Sequence, residues 1–410
     1  MKALIVDPAL HSMGGHHHSA VQRLQAELRK LGHDAPCLGS AYADGEVRKE
    51  LSCTPVFTKS VYGRAYATAG EFGESVAETA EQLSRAMRRQ RRPDLIILPC
   101  CDQVLASALT QYLKRARLAR PPHVLLWILY GPHHSKAADD PAAARLNDEC
   151  RDAFGELAAS VDDRHRIGVY CETPSLADFY RDLTGLDVGV LSGPGLVGRA
   201  RAEAASASRS PTVACVGFAN RSKGYRLLPA AIEHVLARHR DVRFMIHGVV
   251  KGSDAEADQP AFDRLARLGA RVMVCQNVLT PEAYLAWLAQ ADMLLLPYDP
   301  SAYRSRGSGV FSDARKIGIP VVATGGCAFA QPAFDGGWGV AIDDYSSAGL
   351  ARAILGALGR LSELGACAAA SAGQASDGLE GILRAAIGES RAAKPWHFTE
   401  FLSRFGQRSA

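Results

Sequence analysis

The feature that most constrains the fold of this chain is an alternation of short apolar runs with segments of helical pattern. In the first half the runs are continuous: KALIVD (2–7), DLIILP (94–99), HVLLWILY (123–130) and IGVYC (167–171). Continuous runs of this length are typical of parallel strands that are buried on both faces of a sheet. The pattern therefore predicts an α/β protein.

The alternation stops once and then restarts. The segment 197–211, VGRARAEAASASRSP, is rich in Ala, Ser and Arg and has no clear period, which is typical of a linker. New apolar runs follow it: TVACVGF (212–218), RFMIHG (243–248), RVMVCQ (271–276), ADMLLLPY (291–298) and IPVVAT (319–324). A chain of 410 residues is long enough for two domains. We therefore predict two doubly wound, Rossmann-like domains, 1–196 and 212–385, which face each other across a cleft.

Composition excludes several classes of protein. The net charge of +4 is too small to predict nucleic acid as the main partner. The ten cysteines are scattered, with no Cys-x-x-Cys and no Cys/His spacing of a zinc site, so we expect reduced core residues and no metal. The N-terminal apolar run is too short for a signal peptide, and the longest apolar stretch, VLLWILY, is too short to span a membrane. These observations predict a cytoplasmic protein.

In doubly wound sheets ligands bind at the carboxyl ends of the strands, so the residues that follow each run are candidates for ligand binding. After the first run comes Met13-Gly14-Gly15-His16. Glycines between a strand and a helix let backbone amides approach a ligand, and a helix N-terminus favours anions. A tight turn without a ligand is the alternative. The dinucleotide fingerprint Gly-x-Gly-x-x-Gly does not occur here.

Two further strand ends carry polar residues. In VGFANRSKGYRLLPA, Arg221, Lys223 and Arg226 lie where the first helix of the second domain should begin. Cations at a helix N-terminus oppose the helix dipole, and a diphosphate between them and the helix would explain their position. A solvated loop is the alternative. In WILYGPHHSK, His133 and His134 follow a Gly-Pro turn. Imidazole can orient a sugar hydroxyl or help a phosphate to leave, although such histidines can also be structural.

The most informative stretch is YRSRGSGVFSDARKIGIP (303–320). Four small residues leave backbone amides unshielded, as in a phosphate-binding nest: Ser305, Gly307, Ser308 and Gly309. Arg304 and Arg306 can add bidentate contacts to phosphate. Asp313 lies about one turn inside the following helix, where its carboxylate can accept hydrogen bonds from a ribose diol. The alternative is a glycine-rich surface loop with an incidental acid.

These residues carry a resemblance. The second domain resembles the donor domain of GT-B glycosyltransferases, especially the retaining enzymes of family 4. Lys223-Gly224 matches their Lys-Gly after the first strand, and SRGSGVFSDARKIGIPVV matches a Glu-x7-Glu motif that runs into EAxAxGxPVV. In that register Asp313 stands for the second Glu, which binds ribose, and Ser305 stands for the first, which contacts the sugar in many members. Gly217 is followed by Phe218 instead of the usual arginine.

In the first domain the resemblance is looser. Gly15 fits the glycine-rich loop of the acceptor domain, and His133 fits the histidine near the sugar. The segment PWHFTEFLSRFGQ resembles the amphipathic helix that crosses back to the first domain, which we assign to 386–410. No Asp-x-Asp motif is present, and in the GT-B design helix dipoles and cations carry the departing diphosphate without a metal.

The resemblance implies a hexosyltransferase-type glycosyltransferase in polysaccharide or glycoconjugate biosynthesis. It would move a sugar from a UDP- or GDP-sugar to a glycan, a lipid-linked or another hydroxyl acceptor, with retention and without a cofactor or metal. The predicted catalytic residues are His133, Lys223 and Arg221. The predicted acceptor or sugar contacts are His16, His17 and His134. The predicted donor-binding residues are Gly15, Gly217, Arg304, Ser305, Arg306, Gly307, Ser308, Gly309 and Asp313.

Three alternatives stay open. A nucleotide-sugar epimerase of the same architecture would need no acceptor, but the motifs contain no set of acid/base carboxylates. A non-catalytic GT-B protein that binds a nucleotide sugar or a partner is favoured by Phe218 and Ser305. A phosphorylase-like enzyme would use inorganic phosphate instead of a nucleotide.

A cluster of five arginines in SRAMRRQRRP (84–93) closes a predicted helix. Cations at a helix C-terminus on a solvated face explain it. The alternative is docking to anionic lipid at the inner face of the membrane, as a lipid-linked acceptor would require.

Overall fold

Two separate parallel sheets, each covered by helices, confirm the predicted pair of doubly wound units. The computed structural model describes residues 1–13, 15–62, 64, 66–89, 92–116, 121–132, 142–161, 166–191, 210–250, 255–374 and 378–389. Every strand pairing in it is parallel, as continuous apolar runs predict.

The first sheet has seven strands in the order β3-β2-β1-β4-β5-β6-β7. Their bounds are β1 Ala3–Val6, β2 Cys37–Ser40, β3 Cys53–Phe57, β4 Leu95–Leu98, β5 His123–Ile128, β6 Ile167–Cys171 and β7 Val188–Val190. The four predicted runs are β1, β4, β5 and β6. The sequence analysis missed β2, β3 and β7 because CLGS, CTPVF and VGV are short and interrupted by Gly or Pro.

The second sheet has six strands in the order β12-β10-β8-β13-β14-β15, beside a two-stranded ribbon of β9 and β11. Their bounds are β8 Thr212–Cys215, β9 Phe218–Ala219, β10 Arg243–His247, β11 Val249–Val250, β12 Val272–Cys275, β13 Met293–Leu296, β14 Val321–Thr324 and β15 Gly339–Ile342. The run 212–218 is not one strand, because Gly217 adopts a φ of 133° and separates β8 from β9.

Helices connect these strands and cover both faces of each sheet. In the first half they are α1 Gly15–Lys30, α2 Gly45–Glu50, α3 Ala69–Met87, α4 Gln103–Ala116, α5 Ala142–Ser160 and α6 Pro174–Thr184. In the second half they are α7 Leu228–Arg238, α8 Ala255–Ala266, α9 Pro281–Gln290, α10 Gly309–Ile317, α11 Gln331–Asp335, α12 Ser347–Gly359, α13 Leu361–Gln374 and α14 Leu379–Glu389.

Each sheet is buried on both sides, which explains the continuous apolar runs. In β4, Ile96 and Leu98 belong to one core cluster, whereas Leu95 and Ile97 belong to the cluster on the opposite face. Burial of each such side chain stabilises the fold by roughly 1.5–3 kcal/mol. All ten cysteines are free, and eight of them are buried.

Helix α14 packs on the first unit although it follows the second in sequence. Leu379, Leu383 and Ala386 are buried in the core cluster that contains Leu24 of α1 and Ile5 of β1. The element that returns to the first domain thus begins at Leu379, before the boundary of 386 that the resemblance implied. The remainder of that segment, 390–410, and most of the predicted linker, 197–209, lie outside the described residues. The division into domains remains a prediction.

Among the helices described above, none is by itself long and apolar enough to cross a membrane. Only the pair Ser347–Gly359 and Leu361–Ala372, bent by 84°, has the combined length and composition of a broken span.

Candidate active site

A cleft of about 420 Å³ lies between the two units, at the carboxyl ends of their central strands. This is the position at which doubly wound sheets bind ligands. The structure brings nine of the predicted site residues to its lining: Gly15, His16, Gly217, Lys223, Arg306, Gly307, Ser308, Gly309 and Asp313.

Lys223 reaches the cleft from a tight loop after β9. A 3-10 turn, Arg221–Lys223, ends at Gly224, which has a φ of 69°. A methyl group on Gly224 would overlap the carbonyl oxygen of Pro297, so only glycine fits there. The Lys223 ammonium lies 5.6 Å from the centre of the Tyr298 ring. Burial, assisted by the positive charge of Arg306, lowers the pKa of Lys223 to about 8.

The glycine-rich stretch forms the start of helix α10. The Ser308 hydroxyl caps this helix by accepting a hydrogen bond from the Phe311 amide at 3.3 Å. The first amides of a helix have no partner within it, and here Gly309 and Val310 line the cleft. A methyl group on Gly309 would meet no atom within 4 Å, so the space next to it is open. The helix therefore presents an anion-binding N-terminus to the cleft.

Arg306 lies beside this helix start and between two aromatic rings. Its guanidinium carbon is 4.9 Å from the ring centre of Tyr303 and 5.4 Å from that of Tyr130. Such cation–π contacts hold the guanidinium plane without using its hydrogen-bond donors. Arg306 and Lys223 thus give the second unit's side of the cleft a positive charge.

Asp313 lies one turn inside α10 and is buried. Tyr284, at the start of α9, donates a hydrogen bond from its hydroxyl to Asp313 Oδ2 at 3.0 Å. Both residues line the cleft. Asp313 is therefore a fixed acceptor at the inner end of the site.

Four predicted residues do not line the cleft. Arg221 and Arg304 are exposed, and the Ser305 carbonyl accepts a hydrogen bond from the Thr173 hydroxyl of the other unit. His17 is half-buried and donates from Nδ1 to Asp7 Oδ2 at 2.9 Å. Their roles in the site remain predictions.

Two further predicted residues, His133 and His134, lie outside the described part of the chain. Arg226, the third cation of the cluster after β9, forms an ion pair at 2.7 Å with Asp258, whose side chain is fully buried. Arg226 therefore anchors α8 instead of facing the cleft.

The first unit's side of the cleft is aromatic and mostly uncharged. The His16 ring remains exposed to the open cleft, yet the surrounding protein, with Lys223 and Arg306 nearby and against the opposing effect of Asp7, lowers its pKa to about 3. Tyr62 contacts both histidines, with ring centres 5.2 Å from His16 and 4.6 Å from His17. His16 is therefore neutral at physiological pH.

Glu172 and His247 are among the polar residues of the cleft that were not predicted from the sequence. Glu172 directly follows β6 and lines the cleft; its position at a strand end was the signal that could have found it. Burial raises the pKa of Glu172 to about 7, against the opposing effect of Arg306. His247 ends β10, accepts from the Gly217 amide on Nδ1 at 3.4 Å and donates from Nε2 to the Asn277 carbonyl at 2.8 Å. Burial lowers the pKa of His247, so its ring is neutral and supports the backbone of Gly217 through this hydrogen bond.

One group of potential metal ligands exists among the described residues. The donor atoms of His16, His17 and Cys100 all lie within 4.8 Å of one another. Burial and nearby carboxylates raise the pKa of the Cys100 thiol well above its usual range, and Lys223 and Arg306 lie close enough to oppose a bound cation. The environment does not fit a metal centre.

Comparison with known proteins gives a partial sequence match and a shared fold. Residues 210–360 match the sequence model of the family described as Glycosyl transferases group 1. A search of curated proteins gave no match. Among solved structures, sucrose-phosphate synthase from Thermosynechococcus elongatus is 14% identical, with a TM-score of 0.66 and coverage of 100% of both chains.

Two other solved structures are similar over nearly the full chain. WaaG, a glycosyltransferase involved in lipopolysaccharide biosynthesis, is 15% identical, with a TM-score of 0.61 and coverage of 94% of this chain and 99% of its own. UDP-GlcNAc 2-epimerase from Neisseria meningitidis, bound to UDP-GlcNAc, is 10% identical, with a TM-score of 0.55 and coverage of 95% and 100%. At such identities these likenesses establish the fold alone.

The fold defines the chain as a protein of GT-B architecture, as the sequence analysis predicted. The segment that matches the Glycosyl transferases group 1 model, 210–360, lies in the second unit. Membership in family 4 within this group remains a prediction.

Proposed function

We propose that the protein is a glycosyltransferase that takes a sugar from a nucleoside diphosphate and passes it to a hydroxyl acceptor. The observation that carries this proposal is the meeting of Lys223, Arg306 and the Gly309 amide on one side of the cleft. Two cations beside a free helix N-terminus suit a diphosphate, and the group 1 match makes a nucleotide sugar the natural source of it.

The chemistry requires that negative charge be stabilised as the glycosidic bond to the β-phosphate breaks. Lys223 and Arg306 would neutralise that charge, and the amides at the start of α10 would donate hydrogen bonds to the phosphate oxygens. Asp313 would hold the ribose hydroxyls. His133, by resemblance, would support the sugar or the leaving phosphate, and Arg221 would reach the phosphate only if its exposed loop moves inward.

The transfer needs no metal in this account, because fixed cations and amides stabilise the leaving group. Activity should therefore persist when EDTA is added to metal-free protein. Retention of the anomeric configuration, a hexose as the sugar, and a glycan or lipid-linked acceptor follow from the resemblance and are proposed on that basis. Proton NMR of the first-formed product tests retention directly.

An epimerase is the second candidate, because a UDP-GlcNAc 2-epimerase shares the fold and because Glu172 places a carboxyl group in the cleft. An epimerase would interconvert two nucleotide sugars without an acceptor. Incubation of the protein with UDP-GlcNAc, followed by NMR, distinguishes the two: a second nucleotide sugar supports epimerisation, whereas transfer to an added acceptor supports the transferase.

A peripheral membrane contact is proposed through the arginines that follow α3. Arg88, Arg89 and Arg92 lie at or beyond the helix end at Met87, and Arg85 is already paired with Glu81 at 2.5 Å. Sedimentation with phosphatidylserine vesicles tests this: wild type should bind, and a triple R88A/R89A/R92A variant should bind much less. Equal sedimentation of both would rule out this surface.

The experiment that tests the function is a calorimetric titration of metal-free protein with UDP, GDP, ADP and dTDP. We expect micromolar binding of one of them, weakened at least 100-fold in Lys223→Ala. Lys114→Ala serves as the matched control, because Lys114 is an exposed lysine of α4 paired with Glu156 and does not line the cleft. Absence of binding by all four nucleotides would contradict the nucleotide-donor proposal and favour a non-catalytic or phosphate-dependent protein.

A further inference from the structure

Glu172 is a carboxyl group of the cleft to which the proposed glycosyl transfer assigns no role. It lies between the end of β6 and the start of α6, and it comes from the unit opposite the cations. Its only described neighbour of opposite charge, Arg306, is not within ion-pair distance, since no ion pair or hydrogen bond joins Glu172 to another described side chain. A carboxyl group that faces an open cleft and pairs with no described side chain is available to a ligand.

The position of Glu172 is fixed by residues 303–308 of the other unit, the donor loop, which leads into α10. A methyl group on Gly307 would overlap the Glu172 carboxylate, so the two lie in direct contact. The neighbouring residue Thr173 caps α6, accepting from the Leu176 amide at 3.3 Å, and also donates to the Ser305 carbonyl. These contacts hold the Glu172 side chain beside the loop that leads into α10.

The distance from the anion site limits what Glu172 can contact. Gly307, which contacts the Glu172 carboxyl, is separated from Gly309 at the start of α10 by Ser308 alone, so a phosphate bound at that helix start would lie on the same side of the cleft as Glu172. The group attached to that phosphate in a nucleotide sugar is the sugar. Its hydroxyl groups need donors and acceptors, and its apolar face suits rings such as those of Tyr62, Tyr130 and Tyr303, which line the same part of the cleft.

The charge of Glu172 also favours a contact with the sugar over one with the phosphates. An ionised carboxylate next to a diphosphate would be repelled, whereas the burial that raises the pKa of Glu172 to about 7 allows a neutral acid near physiological pH. A neutral acid donates one hydrogen bond and accepts another, which matches a sugar hydroxyl.

We propose that Glu172 binds a hydroxyl group of the donor sugar and thereby helps to select which sugar the cleft accepts. This inference rests on the proposed nucleotide-sugar donor site. It assigns sugar recognition to a residue of the first unit, whereas the diphosphate is assigned to the second unit.

The test compares two ligands on each protein: the nucleoside diphosphate that binds wild type and the corresponding nucleotide sugars. In Glu172→Ala we expect the affinity for the diphosphate to stay within threefold of wild type. We expect kcat/KM for the preferred nucleotide sugar to fall at least 50-fold and the ratio between two epimeric sugars to change at least tenfold. Glu172→Gln keeps the side-chain size and part of the hydrogen bonding, so it should retain more activity than Glu172→Ala.

Asp102→Asn is the matched control. Asp102 also follows a strand of the first unit, and burial likewise raises its pKa to about 7, but it caps α4 by accepting from the Leu105 amide at 2.9 Å and does not line the cleft. This variant should keep the sugar preference of wild type even if it is less stable.

The outcomes are distinguishable. If wild type binds both ligands and Glu172→Ala, folded by circular dichroism, keeps wild-type turnover and sugar preference, the assignment of Glu172 is overturned while the proposed function survives. If both Glu172 variants lose diphosphate binding as well, Glu172 acts on the donor loop and not on the sugar, which also overturns the assignment. If wild type binds no nucleotide, the proposed function fails first, and the assignment fails with it.

Discussion

The two sides of the cleft differ in charge and in how they are built. The second unit contributes the cations Lys223 and Arg306 and the helix start at Gly309, all from loops that glycines shape. The first unit contributes His16, whose pKa of about 3 leaves it neutral, and Glu172, whose pKa of about 7 allows a neutral acid near neutral pH. The difference fits the division that we propose, with anion binding on one side and recognition of uncharged hydroxyl groups on the other.

The largest effect should come from the glycine that shapes the cationic loop. Gly224→Ala introduces a methyl group that overlaps the Pro297 carbonyl oxygen at a φ of 69°. We expect the free energy of unfolding to fall by about 3 kcal/mol and nucleotide binding to be lost. Gly269→Ala is the control, because Gly269 has a similar φ of 88° but open space around it; about 1 kcal/mol is expected there. Equal losses in urea unfolding would show that Gly224 has no special packing role.

The next largest effect should distinguish Arg306 from Arg304, the two arginines of the glycine-rich stretch. Arg306→Ala removes a cation that lines the cleft, and we expect the affinity for the nucleoside diphosphate to fall by about 2 kcal/mol, roughly 30-fold. Arg304→Ala removes an exposed arginine outside the cleft lining and should change the affinity less than threefold. Calorimetry on both variants checks this. A larger loss in Arg304→Ala would return Arg304 to the phosphate-binding role that the sequence predicted.

A smaller effect should appear in the pH dependence of binding. The free protein has a pKa of about 8 at Lys223, and a bound diphosphate favours the charged form, so binding takes up a proton above that pH. The affinity should therefore fall as pH rises from 8 to 9.5, by at most tenfold per pH unit. Lys223→Ala has no such proton to take up, and its residual affinity should be flat in this window. A wild-type affinity that is constant or rises with pH would contradict the assignment of Lys223.

The smallest effect should come from the neutral side. His16→Asn removes a ring whose low pKa leaves it without charge at neutral pH. We expect the diphosphate affinity to change less than threefold, that is, by under about 0.7 kcal/mol. Turnover should fall more than binding, since His16 faces the cleft from the acceptor side. A tenfold loss of diphosphate affinity would contradict the proposal that only the second unit's side of the cleft binds the diphosphate.

The same contrast shows what the sequence could predict. The second domain's donor loop was predictable because glycines, cations and an acid lie within a few positions of one another, and the structure places Arg306, Gly309 and Asp313 together at the cleft. Arg304 points away although it lies two positions from Arg306, because side-chain direction depends on backbone conformation that the residue pattern does not encode.

The first domain's side was harder to predict, because it is assembled from distant segments. Tyr62, Tyr130 and Glu172 meet only when β5 and β6 pair and when the loop after β3 folds over them, which are long-range contacts. Their residue types carry no local signature. In addition, the short strands β2, β3 and β7 were not predicted, although they complete the sheet that positions the first unit's side of the cleft.

The most direct test of the central claim is a crystal structure of the protein with the nucleoside diphosphate that binds it. We expect the diphosphate to lie against the second unit, with its oxygens within hydrogen-bond distance of the Gly309 amide and Lys223, and with the ribose near Asp313. A nucleotide bound outside the cleft, or one whose phosphates contact the Tyr62 and Glu172 side instead, would contradict it.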